Sequence, residues 1–299
     1  MRDDVFIKEV LGKCNTLKQA GFWPTEPTIR PNAWLHNFEP EDQATAAILL
    51  DRFTYYNQKL TDALFLSSYH SIGDGLPKGP NTPSLSELIR SLTNARITPI
   101  TGEAPNPTDS GNLFCRKARQ LLAIDDHIVV EPRAALDHAR AGGTIVFVDD
   151  FIGSGDQFLE TWRRPYSRTE PSSFFNCHAQ NGFTSIYLSL VSTDFGLNNI
   201  QRFAPNTAVC VSHILCKRST IQGMEISDQK RQKCIDFLEK YSARLQPRET
   251  YIASNPKYRA FGYKERGLLF GFEHSIPDAT LPIFWSPGVG NWEPLIERV

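Results

Sequence analysis

Apolar positions follow two regimes along this chain. Through about the first ninety residues they recur at helical spacing. From Glu41 onward Leu49, Phe53, Tyr56, Leu60 and Leu64 follow one another at intervals of four, three, four and four, which predicts one long helix carrying a continuous apolar stripe. The preceding segment GFWPTEPTIRPNAWLHNFEP holds too many prolines for a regular element and is expected to wrap over a surface. After the helix, GDGLPKGPNTP reads as turns, and Ser84 with Glu87 makes a capping box that opens a short helix through Leu92.

Near residue 96 the pattern changes to short β-type runs alternating with helical ones: ARITPITG, NLFCRKARQLL, HIVVE, PRAALDHAR, TIVFVDD, SGDQFLETW, TSIYLSLVS, FGLNNIQRF and NTAVCVSHIL. This alternation predicts an α/β fold, a mainly parallel sheet covered by helices. The runs IVFV, IYLSLV and AVCVSHIL are nearly continuous in apolar character, as strands buried on both faces require, and are placed at the sheet's centre. The change of pattern divides the chain into a helical N-terminal region, 1–95, packed on an α/β domain, 96–299. Beyond the sheet, Ser227 caps a helix with Cys234, Leu238, Tyr241 and Leu245 on one side.

The composition narrows the function classes. With 32 basic and 33 acidic residues the formal net charge is -1, so nothing draws the whole protein to nucleic acid or anionic lipid. Locally basic stretches at RRPYSR and between Lys217 and Arg248 read as solvated faces, since no aromatic groove accompanies them. Six cysteines without a CxxC pair, and an N-terminus MRDDVFIKEV lacking the regions of a signal peptide, predict reduced thiols in the cytoplasm. No run of about eighteen apolar residues is present, so no membrane association is expected. Neither the histidines nor the cysteines have metal-ligand spacing.

The candidate chemistry lies in residues 145–158, IVFVDDFIGSGDQF. Thr144 to Val148 reads as a buried strand, Asp149 and Asp150 as its carboxyl end, and Gly153, Ser154 and Gly155 as a tight turn into the helix bearing Phe158, Leu159 and Trp162. Amides at such a junction lack partners, and the helix dipole adds positive potential, so the turn can cradle a phosphate. Glycines at 153 and 155 permit close approach and positive φ. The acids would repel that phosphate, but one sugar's length away they can accept bonds from the vicinal hydroxyls of a ribose, each contributing about 1.5–3 kcal/mol.

VDDFIGSG resembles the diphosphoribose-binding signature of type I phosphoribosyltransferases: a hydrophobic strand, two acids, then a loop ending in Thr-Gly. By position the resemblance implies that Asp149 and Asp150 hold the ribose hydroxyls of phosphoribosyl diphosphate and act in catalysis. Gly153, Ser154, Gly155, Asp156 and Gln157 would wrap its 5-phosphate. The family usually has threonines where this sequence has Gly153, Ser154 and Gln157, and glycine where it has Asp156, which adds a negative charge near a dianion. A second loop, TGEAPNPTDSGNLFCRKARQL, precedes the acidic strand, as the diphosphate loop does in that family. Asp109, Ser110 and Gly111 would contact the ligand there, with Arg116 or Lys117 neutralising charge; the same residues read equally well as a helix cap with solvated basic side chains. Mg²⁺ is implied as a cofactor bound through the diphosphate.

More widely, LLDRFTYYN, VDDFIGSG and the tail FGYKERGLLFGFEHSIPDATLPIFW resemble phosphoribosyltransferase-like proteins of bacterial conflict systems, some encoded beside retron reverse transcriptases. That resemblance implies an antiphage effector that binds phosphoribosyl diphosphate or a nucleotide and transfers or hydrolyses a phosphoribosyl group. The alternative is a non-catalytic subunit that senses a nucleotide, or one whose aromatic N-terminal layer docks on a reverse transcriptase or its nucleic-acid product. Glu273 and His274, with Phe284 or Trp285 as a stacking face, are minor candidates for an acceptor pocket.

Overall fold

The apolar runs pair much as their pattern requires. In the computed structural model, which describes residues 2–75, 84–102, 105–106 and 109–298, six strands form among the described residues: β1 Thr54–Tyr56, β2 Arg96–Pro99, β3 Ile145–Ile152, β4 Ser185–Thr193, β5 Thr207–Leu215 and β6 Phe270–Phe272. By its internal contacts the chain forms two units, Thr61–Leu215 on one hand and Met1–Leu60 with Cys216–Val299 on the other.

In the unit Thr61–Leu215, β2 to β5 make one parallel sheet in the order β2-β3-β4-β5. Every residue of β4 is buried and so is all of β3 except Phe151, which explains why their sequences read as unbroken apolar runs. β5 lies at the sheet's edge and exposes His213 and Ile214. Helices Pro132–Arg140, Asp156–Arg163, Phe174–Asn181 and Asp194–Phe203 supply a core in which Phe158 stacks on Tyr187 (4.7 Å) and Phe147 meets Phe174 edge-on (4.9 Å).

Between β2 and β3 the chain makes a detour that sets the geometry of the site. Val129 forms an isolated parallel bridge to Ile97, with the Val130 amide donating to the Ile97 carbonyl at 2.9 Å. This bridge is all that forms of the strand expected over HIVVE, because a tight turn over Asp126–Ile128 precedes it and Pro132 opens a helix directly after. The chain therefore steps outward from β2 to Val129 and returns to β3 on the opposite side of β2. Strand order reverses between β2 and β3, and open α/β sheets take ligands outside the carboxyl ends of strands at such a reversal.

The capping box forms as the sequence indicates: Ser84 opens the helix Leu85–Thr93, its amide donating to Glu87 Oε2 at 2.7 Å while its hydroxyl accepts from the Glu87 amide. Part of the turn segment before it, residues 76–83, lies outside the described residues.

One sequence expectation, over residues 41–64, is corrected. The single long helix is instead the helix Gln43–Arg52, strand β1 and the helix Gln58–His70. Phe53-Thr54-Tyr55-Tyr56 is rich in aromatic and β-branched residues, and β1 pairs in parallel with β6, Thr54 opposite Phe270. The apolar spacing spans three elements by coincidence, and Leu60 on the supposed stripe is exposed. The proline-rich segment keeps residues 25–28 exposed and anchors its large side chains in the unit of residues 1–60 and 216–299: Trp23, Ile29, Trp34, Leu35 and Phe38 are buried in this unit's core, where Trp34 stacks on Phe284 (5.3 Å) and Phe38 abuts Tyr241 (4.9 Å). Prolines prevent extended helix there but leave the large side chains free to bury. The helix Asp228–Ser242, capped by Ser227, contributes Cys234, Leu238 and Tyr241 to the same core.

Candidate functional site

Asp149 and Asp150 are the fifth and sixth residues of β3, which runs on to Ile152 before turning. Their relative exposures are 2% and 5%, so neither faces bulk water. Two adjacent carboxylates in so dry a place cannot both ionise cheaply. Burial, and after it repulsion from Asp150, holds the Asp149 carboxyl well above the usual carboxylate range, while the Ser110 hydroxyl pulls it back down. The Asp150 amide donates to Asp149 Oδ1 at 3.0 Å. In β4 the phenol of Tyr187 is buried beside the pair, and desolvation followed by the two negative charges pushes it well above its ordinary value. Asp149 thus holds its proton more tightly than a lone surface aspartate does.

The upstream candidate loop reaches these acids. The Ser110 hydroxyl, at the first residue of the helix Ser110–Leu122, donates to Asp149 Oδ1 at 2.7 Å. Gly111 allows the approach: a Cβ there would stand 2.3 Å from the Ile100 carbonyl oxygen, so the helix can rest on the end of β2 only with hydrogen at that position. Asp109 precedes the helix but makes no capping bond to it. Its Oδ2 accepts from the amides of Gly102 (3.2 Å) and Asn106 (3.0 Å), which ties the loop after β2 to the helix start. Arg164 holds the same loop from the other side, donating to Thr101 Oγ1 (2.8 Å) and the Gly102 carbonyl (2.7 Å). Residues 103, 104, 107 and 108 of this segment lie outside the described residues.

Lys117 is ion-paired with Asp62. Arg116 is exposed and, with Thr101, Asn112, Cys115 and Glu131, lines a cavity of about 540 Å³ that reaches Val129. Cys115 ties this cavity electrically to the acids: burial, then Glu131 and Asp149, drive its thiol far up, so it is an inert packing residue.

The turn after β3 is braced from behind. The Gly153 carbonyl accepts from Thr193 Oγ1, and the Ser154 carbonyl from Asn199 Nδ2 at 2.8 Å. With these oxygens fixed, the amides of Gly153, Ser154 and Gly155 take no partner among the described residues. Of the two glycines, Gly155 alone adopts positive φ (81°), where it caps the helix Asp156–Arg163. Ser154 Oγ donates to Asp156 Oδ2 at 2.7 Å, so the carboxylate that departs from the family pattern sits on the hydroxyl a phosphate would use. Gln157 is exposed in the helix's first turn.

Three contributors escaped the sequence reading. Tyr187 is masked by its apolar run, although Phe147 pairs with it in register two residues before Asp149 pairs with Ser189. Thr193, directly before the acidic start of a helix, carries a legible capping signal, and it accepts from the Gly196 amide at 2.9 Å. Arg164 carries no local signal at all. The minor candidates are corrected: Phe284 and Trp285 are 0% and 2% exposed, and Phe284 is covered by Trp34 and Phe53 (4.8 Å), leaving no open stacking face. Glu273 accepts from the Gln58 amide at 2.7 Å, and His274 lies flat on Phe272 (5.0 Å).

Among the described residues no helix is long and apolar enough to cross a membrane, and no group of three or more His, Cys, Asp and Glu is arranged to hold a metal ion. Compared with known proteins, residues 31–298 match the model of the PRTase-CE family. No curated protein matches the chain.

Proposed function

The chain belongs to the PRTase-CE family of phosphoribosyltransferase-like proteins, and on that premise we propose that Asp149 and Asp150 grip the ribose hydroxyls of phosphoribosyl diphosphate or a nucleotide. The observation that carries this reading is the bond from Ser110 to Asp149 at the reversal of strand order, beside which open α/β sheets take their ligands. A buried carboxylate pair is costly for folding alone, and groups kept against that cost are characteristic of functional sites.

In this reading the acids accept bonds from the sugar hydroxyls, any proton held by Asp149 passing to solvent as they form, and the ionised acids then favour positive charge growing on the ring as the C1 bond breaks. The free amides of Gly153, Ser154 and Gly155 receive the 5-phosphate, displacing the Asp156 carboxylate from Ser154 Oγ. Asp109 and Arg164 hold the loop after β2 in the shape the diphosphate requires. Two hard oxygen donors, with no third acid grouped beside them among the described residues, suit an ion that arrives on the ligand. Mg²⁺ held in this way supplies charge neutralisation for the departing diphosphate.

The reaction is then transfer or hydrolysis of a phosphoribosyl group. The defence setting, with a reverse transcriptase as neighbour, is part of the proposal on the resemblance of the flanking segments. Its alternative form, an aromatic N-terminal layer docking on a partner, loses support because Trp23, Trp34 and Phe38 are consumed by their own unit's core. Diphosphate release on incubation with phosphoribosyl diphosphate, Mg²⁺ and a panel of bases and nucleotides tests the enzymatic reading. Release that requires Asp149 and Asp150 supports it, and its absence across the panel leaves a sensor in place of an enzyme.

A further inference from the structure

The next strand and helix of the same unit grip the glycine turn after β3. Thr193, the last residue of β4, donates its hydroxyl to the Gly153 carbonyl while its oxygen accepts from the Gly196 amide at 2.9 Å. Asn199, further along the helix Asp194–Phe203, donates from Nδ2 to the Ser154 carbonyl at 2.8 Å. Gly196 lets the two segments touch, since a Cβ there would stand 2.7 Å from the Gly153 carbonyl oxygen and 2.9 Å from that of Ile152. Gly155 leaves room from the other side: a Cβ on it would lie 3.1 Å from the Gly196 carbonyl oxygen.

A peptide plane is rigid, so holding its carbonyl oxygen fixes the direction of the N–H at its other end. The Gly153 carbonyl shares a plane with the Ser154 amide, and the Ser154 carbonyl with the Gly155 amide. Thr193 and Asn199 therefore aim two amides that take no partner among the described residues. Donation to each carbonyl also polarises the peptide, which makes its N–H a better donor. Left to itself, a turn with glycines at 153 and 155 would sample many conformations, and a site that is aimed before its ligand arrives avoids that ordering cost. We propose that Thr193 and Asn199 are positioning residues for the 5-phosphate, acting through the peptide planes of the turn without touching the ligand. This rests on the reading of the turn as a phosphate cradle.

Inorganic phosphate and ribose 5-phosphate are titrated into the full chain, with the amide signals of Gly153, Ser154 and Gly155 followed by NMR. Thr193→Val and Asn199→Ala, which cannot donate, are expected to bind both ligands roughly three- to tenfold more weakly, as the loss of one hydrogen bond implies. Thr193→Ser keeps the hydroxyl and is expected to bind as wild type does. Asp149→Asn plus Asp150→Asn serves as the contrast, weakening ribose 5-phosphate but not inorganic phosphate, which has no sugar hydroxyls. If neither ligand shifts these amides in wild type, the cradle reading falls and the inference with it. Shifts in wild type with unchanged affinity in Thr193→Val and Asn199→Ala overturn the inference alone. A Thr193→Ser variant as weak as Thr193→Val removes the hydroxyl from the role. Asn199→Ala decides the matter if Thr193→Val fails to fold, because alanine suits a helix interior.

Discussion

Ser110 Oγ donates to Asp149 Oδ1 at 2.7 Å, joining the helix that follows β2 to an acid of β3 across the reversal of strand order. This bond lowers the proton affinity of a carboxyl that burial and Asp150 raise. Ser110→Ala therefore moves the titration of the pair to higher pH. Ligand binding that uses the ionised acids is expected to weaken more at lower pH than at higher, the loss reaching the roughly 1.5–3 kcal/mol of a charge-assisted bond. Titrating the ligand at several pH values checks this, and an equal loss at all of them would detach Ser110 from the acids' ionisation.

Stability should move opposite to binding when the acid pair is neutralised. Because the native state holds the Asp149 proton more tightly than the unfolded chain, the group costs nothing below the unfolded carboxylate pKa. Its cost grows as pH rises through the folded one and is complete above it. Asp149→Asn removes that cost, so the variant melts higher than wild type near neutrality, by roughly 2–4 °C for each kcal/mol recovered, and the gain shrinks toward acid. Thermal melts from acid to neutral pH measure it.

Asp156 competes with the 5-phosphate for Ser154 Oγ. Asp156→Asn is expected to strengthen the binding of ribose 5-phosphate several-fold, the more so at low salt, because a like charge within a Debye length of the dianion is lost. Affinities at two ionic strengths test this; weaker binding in the variant would assign Asp156 to positioning instead.

Gly111 and Gly12 should respond in opposite directions to alanine. At Gly111 the new methyl would collide with the Ile100 carbonyl at 2.3 Å, so the helix must move, at a cost of about 1–3 kcal/mol and with loss of the Ser110–Asp149 bond. Gly12 lies inside the helix Arg2–Gln19 with nothing within 4 Å of the added carbon, and alanine there should stabilise by about 0.5–1 kcal/mol. Urea unfolding of the two variants reads both.

What the sequence disclosed of this architecture follows from how local each determinant is. Buried parallel strands announce themselves because both faces are apolar, as in Ile145–Val148, and Ser84 with Glu87 is a signal complete within four residues. The break after Arg52 was hidden because aromatic residues suit helix stripes and strands alike, and only the pairing of Thr54 with Phe270 decides between them. At the site, the acids and the glycine turn were visible as a short motif. The Ser110–Asp149 contact and the Arg164 clamp arise from segments 39 and 62 residues apart, and nothing in either segment alone points to the other.

The central claim is that the buried aspartates hold a phosphorylated pentose. Calorimetric titration of the wild type and of Asp149→Asn plus Asp150→Asn with phosphoribosyl diphosphate and Mg²⁺ tests it most directly. The double variant, folded and melting no lower than wild type, is expected to bind more than about tenfold more weakly, the equivalent of one charge-assisted bond. Equal affinity of the two proteins would contradict the account.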